Sequence, residues 1–279
     1  MKKQLLILFF LIPASLFSQS GQKFAVYYKQ NRSYSSTTIT SSEIKIDVQG
    51  DQQTIERMKQ SGMKLQTVIH LTNSRQTTAK TGSMDSAGAI PVVFDYLADG
   101  TTSSVNDKPY EKKSPLSGMS VNAFYIEGNQ FLLDSAKNNN LDPDKRSKIL
   151  RDLDMSLNQI IFPDKILKIG DQFIQDIPME IPVSGLKPIR VTMSLIYTLV
   201  DTLNSKAHFI IMEKIRSDSD PQTKIDLHGS GSGSAWYDIR NNFVLSHDTS
   251  SDINIKVYSP GMTMYVNLST RISQTNKVE

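Results

Sequence analysis

Apolar and polar side chains alternate with a period of two along most of this chain, and that rhythm restricts it to strands with one buried and one wet face. Ile44, Ile46 and Val48 alternate with Glu43, Lys45 and Asp47, and Met63, Leu65, Thr67, Ile69 and Leu71 with Lys64, Gln66 and His70. The pattern returns at Val191, Met193 and Leu195, at Ile253, Ile255 and Val257, and at Met262, Met264, Val266 and Leu268. Strands that bury one side only belong to antiparallel sheets. Between the runs stand turn signals at Asp99-Gly100, Glu127-Gly128-Asn129 and Arg240-Asn241-Asn242. The second predicts a hairpin joining 123–126 to 131–133, the third one joining Tyr237 to 243–245, and the whole a meander. Residues 80–90 and 100–118, rich in Gly, Ser, Thr and Lys, read as surface loops.

Helical periodicity is confined to two places. Asp142 is suited to an N-cap with Pro143 at the first helical position, and Ile149, Leu150, Leu153, Leu157, Ile160 and Ile161 fall on one stripe that Pro163 ends. A short helix is expected over about 52–61, capped by Asp51 and stopped by Gly62, with Ile55 and Met58 inward. The expected fold is therefore mainly β: a curved antiparallel sheet or half-barrel, with one long amphipathic helix, about 143–162, against its concave face. One domain over 21–279 is expected, in two strand-rich halves, about 21–135 and 164–279, joined by that helix.

Lys2 and Lys3, the apolar block Leu5–Ile12, Pro13 and the small residues to Ser20 follow the order of an export signal, so residues 1–20 read as a leader cut after Ser18 or Ser20. The block is too short for a spanning helix, and no transmembrane anchor is expected elsewhere. Losing Lys2 and Lys3 takes Lys and Arg from 31 to 29 against 28 Asp and Glu, leaving +1, which argues against nucleic acid as a partner. The 279 residues include no cysteine, so neither disulfides nor a lipidated cysteine are available. The expected location is a Gram-negative periplasm or the exterior, and not as a lipoprotein.

The run Gly229-Ser230-Gly231-Ser232-Gly233-Ser234 has two readings. As a linker it would be flexible. As a strand, Ile225, Leu227, the three glycines, Ala235 and Tyr237 share one face, and alternation on both sides favours the strand. That face (Gly229, Gly231, Gly233 and Tyr237) is the candidate seat for the long helix or for a ligand, because glycine admits close approach.

Chemistry finds little purchase. His70, His208, His228 and His247 show no metal-ligand spacing, although the last three would converge if their strands neighboured one another. Ser42-x-x-Lys45 lies on a strand that sends the two side chains to opposite faces. Asp142-Pro143-Asp144 lacks the rest of a calcium loop. No catalytic, cofactor or metal residue is assigned, and the chain reads as non-enzymatic. Asp85-Ser86-Ala87, Asp134-Ser135-Ala136 and Asp201-Thr202-Leu203 resemble the O-glycosylation sequon of some exported Gram-negative proteins.

Phe162-Pro163, then Leu167-Lys168-Ile169-Gly170-Asp171-Gln172-Phe173, then the glycine-alternating strand ending Ala235-Trp236-Tyr237-Asp238, form a combination over about 160–258. It resembles a family of exported β proteins common in the Bacteroidetes, which have no assigned chemistry and so imply no functional residues. More loosely, the expected architecture is similar to the periplasmic lipoprotein carriers, whose curved half-barrel holds acyl chains. The expected role is binding of an apolar or lipid-like small molecule, with an envelope structural or interaction protein that has a packed core as the alternative.

Overall fold

The computed structural model describes residues 21–114, 116–126, 130–134, 142–144, 146–147, 149–151, 160–181, 189–217 and 225–279. The expected leader lies outside these residues, as do Glu127-Gly128-Asn129 and Ser135-Ala136.

The strands are β1 (Gln22–Lys23), β2 (Ser33–Gly50), β3 (Gln66–Thr81), β4 (Ile90–Val105), β5 (Lys108–Lys113), β6 (Ser120–Ile126) and β7 (Gln130–Leu133). They continue with β8 (Ile166–Leu167), β9 (Gln172–Ile181), β10 (Ile189–Leu203), β11 (Lys206–Ser217), β12 (Ile225–Asp238), β13 (Phe243–Ser259) and β14 (Met262–Val278). Twelve of them form one antiparallel sheet in the order β7-β6-β4-β3-β2-β14-β13-β12-β11-β10-β9, with β5 paired to β4. The sheet is not closed. The two halves of the chain meet at β14, which pairs with β13 on one side and with β2 on the other, from Met262↔Gly50 to Val278↔Tyr34.

Tight turns fall where short polar residues accept a left-handed backbone: Asn106-Asp107 (φ 48° and 65°) and Asn204-Ser205 (52° and 61°) close the β4–β5 and β10–β11 hairpins. Asp99-Gly100 is not a turn. Both residues lie inside β4, where Gly100 pairs with Ser74 on one side and Lys113 on the other. Much of 100–118 is likewise strand rather than loop, comprising the end of β4 and all of β5. Its sequence hides this because a strand facing a wet trough needs no apolar side chains on either face. Residues 225–238 form the continuous strand β12, paired along its length with β11 and β13, so the Gly-Ser run is not a tether.

One end of the sheet is filled with rings. Tyr28, 5% exposed, touches Tyr34 of β2, Phe94 of β4, Tyr125 of β6, Phe131 of β7 and Phe243 of β13, all with ring centroids within 6.1 Å. In a flat sheet β7 and β13 would stand about 29 Å apart, six strand spacings of about 4.8 Å. One ring touches both only because the sheet curls around it. Phe24 packs nearby against Phe162 and against Phe209 and Tyr237 of the adjacent strands β11 and β12. The segment that fills the curl is thus residues 24–28, fastened by the β1–β8 pair and by Tyr237, whose hydroxyl donates to the Ala25 carbonyl.

The long amphipathic helix expected over 143–162 is not shown. Helical backbone is described only within 143–151, beginning with the Arg146 N–H to Asp142 carbonyl bond, and residues 152–159 lie outside the described set. Residues 160–163 are not helical, and Ile161 is exposed while Ile160 is buried, a side-by-side contrast that a non-helical backbone accounts for. Ile149 is fully buried in the aromatic core, but the extended segment 24–28 also occupies the concave face, a place expected to be the helix's alone. The short helix α1 (Gln52–Gln60) is present: the Asp51 carboxylate accepts from Thr54 N–H at 2.8 Å and Gly62 ends it at φ 78°. Among the described residues no helix is long and apolar enough to cross a membrane.

Candidate functional site

Strand register sorts the inner face into rungs, because residues directly opposite one another share a face. Beyond the ring-filled end, three rungs carry polar side chains. The first reads Asp99, Arg75, Thr38, Gln274, His247 and Ala235 across β4, β3, β2, β14, β13 and β12. The second reads Thr101, Asn73, Thr40, Ile272, Thr249 and Gly233, extended by Lys112 of β5. The third reads Ser103, Leu71, Ser42, Thr270, Ser251, Gly231 and, on β11, Glu213. Past these the chemistry changes: Ile69, Ile44, Leu268 and Ile253 form the next rung, Ile46, Val266 and Ile255 the one after, then Val48, Met264 and Val257. On β13 these aliphatic residues are buried, whereas Ile44, Ile46, Met264, Val266, Leu268 and Ile69 on the central strands are only half-buried. The inner face is therefore an open trough with a polar floor and an aliphatic shelf.

The glycines of β12 make room for a buried carboxyl group. A Cβ on Gly231 would stand 2.5 Å from Glu213 Oε2 and 2.6 Å from the Ser250 carbonyl oxygen. On Gly233 it would stand 2.1 Å from the Asp248 carbonyl oxygen. Glu213, 2% exposed, lies across the Gly231 position and accepts a hydrogen bond from the Ser251 hydroxyl. One rung nearer the rings, the Tyr197 hydroxyl lies 3.2 Å from His247 Nε2, and Tyr197 stacks on Phe173 at 4.8 Å. Burial, helped by the Glu213 carboxylate, pushes the Tyr197 phenol above its ordinary range. Burial pulls the His247 imidazole down, against the opposing pull of Asp248, and so favours the neutral ring.

Of the sequence-selected residues, Gly229, Gly231 and Gly233 do share the inner face, opposite Ile215, Glu213 and Ile211. Tyr237 shares it too, but is buried among Phe24 and Phe162. The histidines do not converge: His247 faces inward while His208 and His228 sit at outward register positions. His208 stacks on Trp236 at 4.2 Å, His228 pairs with Asp226 at 2.7 Å, and His70 lies 3.6 Å from Glu43. Asp85-Ser86-Ala87 occupies an exposed turn that the Asp85 carboxylate caps at Ala87 and Ala89, whereas Asp201-Thr202-Leu203 ends β10. The Gly170-Asp171 element is a turn: Gly170 takes φ 92°, Asp171 accepts from Lys168 N–H at 2.8 Å, and Phe173 then starts the stack on Tyr197.

The polar cleft of the first two rungs, about 610 Å³, escaped the sequence reading. Arg75 Nε is 3.3 Å from Asp99 Oδ1, and Asp99 Oδ2 is buried without a hydrogen-bond partner among the described residues. A signal existed in Ser33–Ser42, a strand with scarcely an apolar residue on either face, leading directly into Ile44, Ile46 and Val48. The geometry defines an antiparallel β protein with an amphipathic trough. Neither any family model nor any curated protein matches the chain.

Proposed function

We propose that this is an exported, non-enzymatic binding protein whose trough holds an apolar or lipid-like ligand. The observation that carries this reading is the aliphatic shelf of Ile44, Ile46, Ile69, Met264, Val266 and Leu268, half-open to solvent beside buried Ile253 and Ile255. A continuous apolar surface of this kind gains free energy when an apolar partner covers it, at about 25 cal/mol per Å². The half-barrel shape, with analogy to the periplasmic lipoprotein carriers, belongs to the same proposal. So do membership of the Bacteroidetes family and a place in the periplasm or outside the cell, reached through the leader at 1–20. Nucleic acid has no part in it, since charge is nearly balanced.

The test is native mass spectrometry of protein purified without detergent, followed by displacement of a fluorescent fatty-acid probe. A co-purifying acyl lipid, and probe binding abolished by Val266→Asp with the fold intact by circular dichroism, are the expected results. Absence of both lipid and probe binding overturns the reading. One observation favours an envelope interaction protein instead: Ile174, Met212 and Ile210 are 63%, 53% and 49% exposed on the outer face. Ile174 and Met212 stand in one row through Ile196. Loss of envelope partners on Met212→Asp, with lipid binding absent from the wild type, would select that reading.

A further inference from the structure

We infer that the polar cleft takes the head group of the trough's ligand, and that this head is a phosphate ester bearing a hydrogen-bond donor, either a hydroxyl or an ammonium. The inference rests on the lipid-binding reading and adds a chemical class to it. The cleft and the shelf lie on the same face of the same strands. Thr40 and Ile44 of β2, Ile272 and Leu268 of β14, and Asn73 and Ile69 of β3 are each four residues apart, about 13 Å along a strand. A further four residues, Ile44 to Val48, run about 13 Å along the shelf. An amphiphile lying along the strands meets both surfaces at once.

Two features of the cleft specify the head. Arg75 and Lys112 line the cleft, Arg75 opposite Asp99 on the first rung and Lys112 on the second, so among the described lining residues cationic charge exceeds anionic. That favours an anion. Asp99 supplies the second constraint. Its Oδ1 takes Arg75 Nε at 3.3 Å, while Oδ2 is buried and has no partner among the described residues. A carboxylate oxygen removed from water without a hydrogen bond is costly, and a donor on the ligand relieves the cost. Lys112 faces Thr101, which is one rung from Asp99, about 7 Å along β4. One small head group can therefore place its phosphate at Lys112 and its donor at Asp99 Oδ2. A fatty acid brings the anion without the donor, and a phosphocholine brings a cation with no N–H.

Titration calorimetry of the mature chain with single-chain lipids of one chain length, below their micelle concentrations, tests this. The lipids are the single-chain alkyl esters of phosphoethanolamine, phosphoglycerol and phosphocholine, of which the last has no O–H or N–H donor, and the uncharged fatty alcohol, with the methyl ester of phosphoethanolamine as the chain-free counterpart. The first two are expected to bind about tenfold more tightly than the choline lipid, which corresponds to about 1.4 kcal/mol of hydrogen bonding. Asp99→Asn is expected to erase that preference. Lys112→Glu, at an exposed position that leaves folding untouched, is expected to weaken the three phospholipids about tenfold and leave the alcohol unchanged. Equal binding of all four lipids overturns the head-group inference and leaves the trough reading standing. No binding by any of them overturns both. Binding of the chain-free ester as tight as that of its lipid overturns the lipid as the source of the phosphate.

Discussion

At the Tyr34 end of the sheet, Phe24 and Tyr28 reach into the curl and meet rings from strands on both sides, whereas at the Val48 end the same strands carry half-open Ile44, Ile46 and Val266. The difference lies in what the chain supplies to each end. The N-terminal segment crosses the first end and removes its aromatic face from water. Along the shelf, the second buried cluster is concentrated on β10 to β13, and Met264, Val266 and Leu268 of β14 sit only partly buried at its margin. One end is thus built for stability, and the other keeps apolar surface available. Between them Glu213, Ser251, Tyr197 and His247 place polar groups where the face changes character.

The largest expected effect is at the filled end. Tyr28→Ala removes a ring that touches five others and should cost about 3–5 kcal/mol in urea unfolding. Val266→Ala on the half-open shelf should cost only about 1 kcal/mol, and equal losses at the two sites would break the comparison. Gly233→Ala, whose Cβ would meet the Asp248 carbonyl oxygen at 2.1 Å, should cost about 1–3 kcal/mol by forcing β12 and β13 apart. An unchanged denaturation midpoint would mean that the strands separate freely there.

Acid should produce a smaller, directional effect. His247 is held neutral in the fold, with a pKa below that of the unfolded chain. Above about pH 6.5 neither state binds the proton; as pH falls below that value the unfolded chain takes it up first, so stability declines until the lowered folded pKa is reached. His247→Gln should flatten the decline in stability that begins below about pH 6.5. A profile of unchanged slope would show that burial does not hold the imidazole neutral. The smallest effect is expected at Asp51→Ala, which removes the exposed cap of α1, frays that helix in hydrogen exchange and leaves the trough unaltered.

Much of the sheet was legible because alternation is a local property. Ile44–Val48, Val191–Leu195, Ile253–Val257 and Met262–Leu268 all point their odd-one-out apolar sides to the inner face, as the pattern requires. The Gly-Ser run could be recognised as strand from its parity with Ile225 and Tyr237. Three things were not legible. Asp99-Gly100 carries a turn dipeptide, yet pairing on both edges overrides that preference. The long helix was inferred from a stripe of apolar residues, yet Ile161 points to solvent while Ile160 is buried. The polar cleft draws Arg75, Asp99 and Lys112 from three strands, and no spacing within one segment announces such a meeting.

The sequence by itself determined that this chain makes strands, which side of each is greasy, and that no cysteine pins them, because those properties reside in neighbouring residues. The tertiary structure alone decided that Phe24 and Tyr28 fill one end of the curl, that Glu213 occupies the space Gly231 leaves, and that a polar floor adjoins an aliphatic shelf. Those outcomes depend on register and curvature between residues distant in sequence. Long-range pairing such as Val278 with Tyr34 sets them, and no local pattern encodes it.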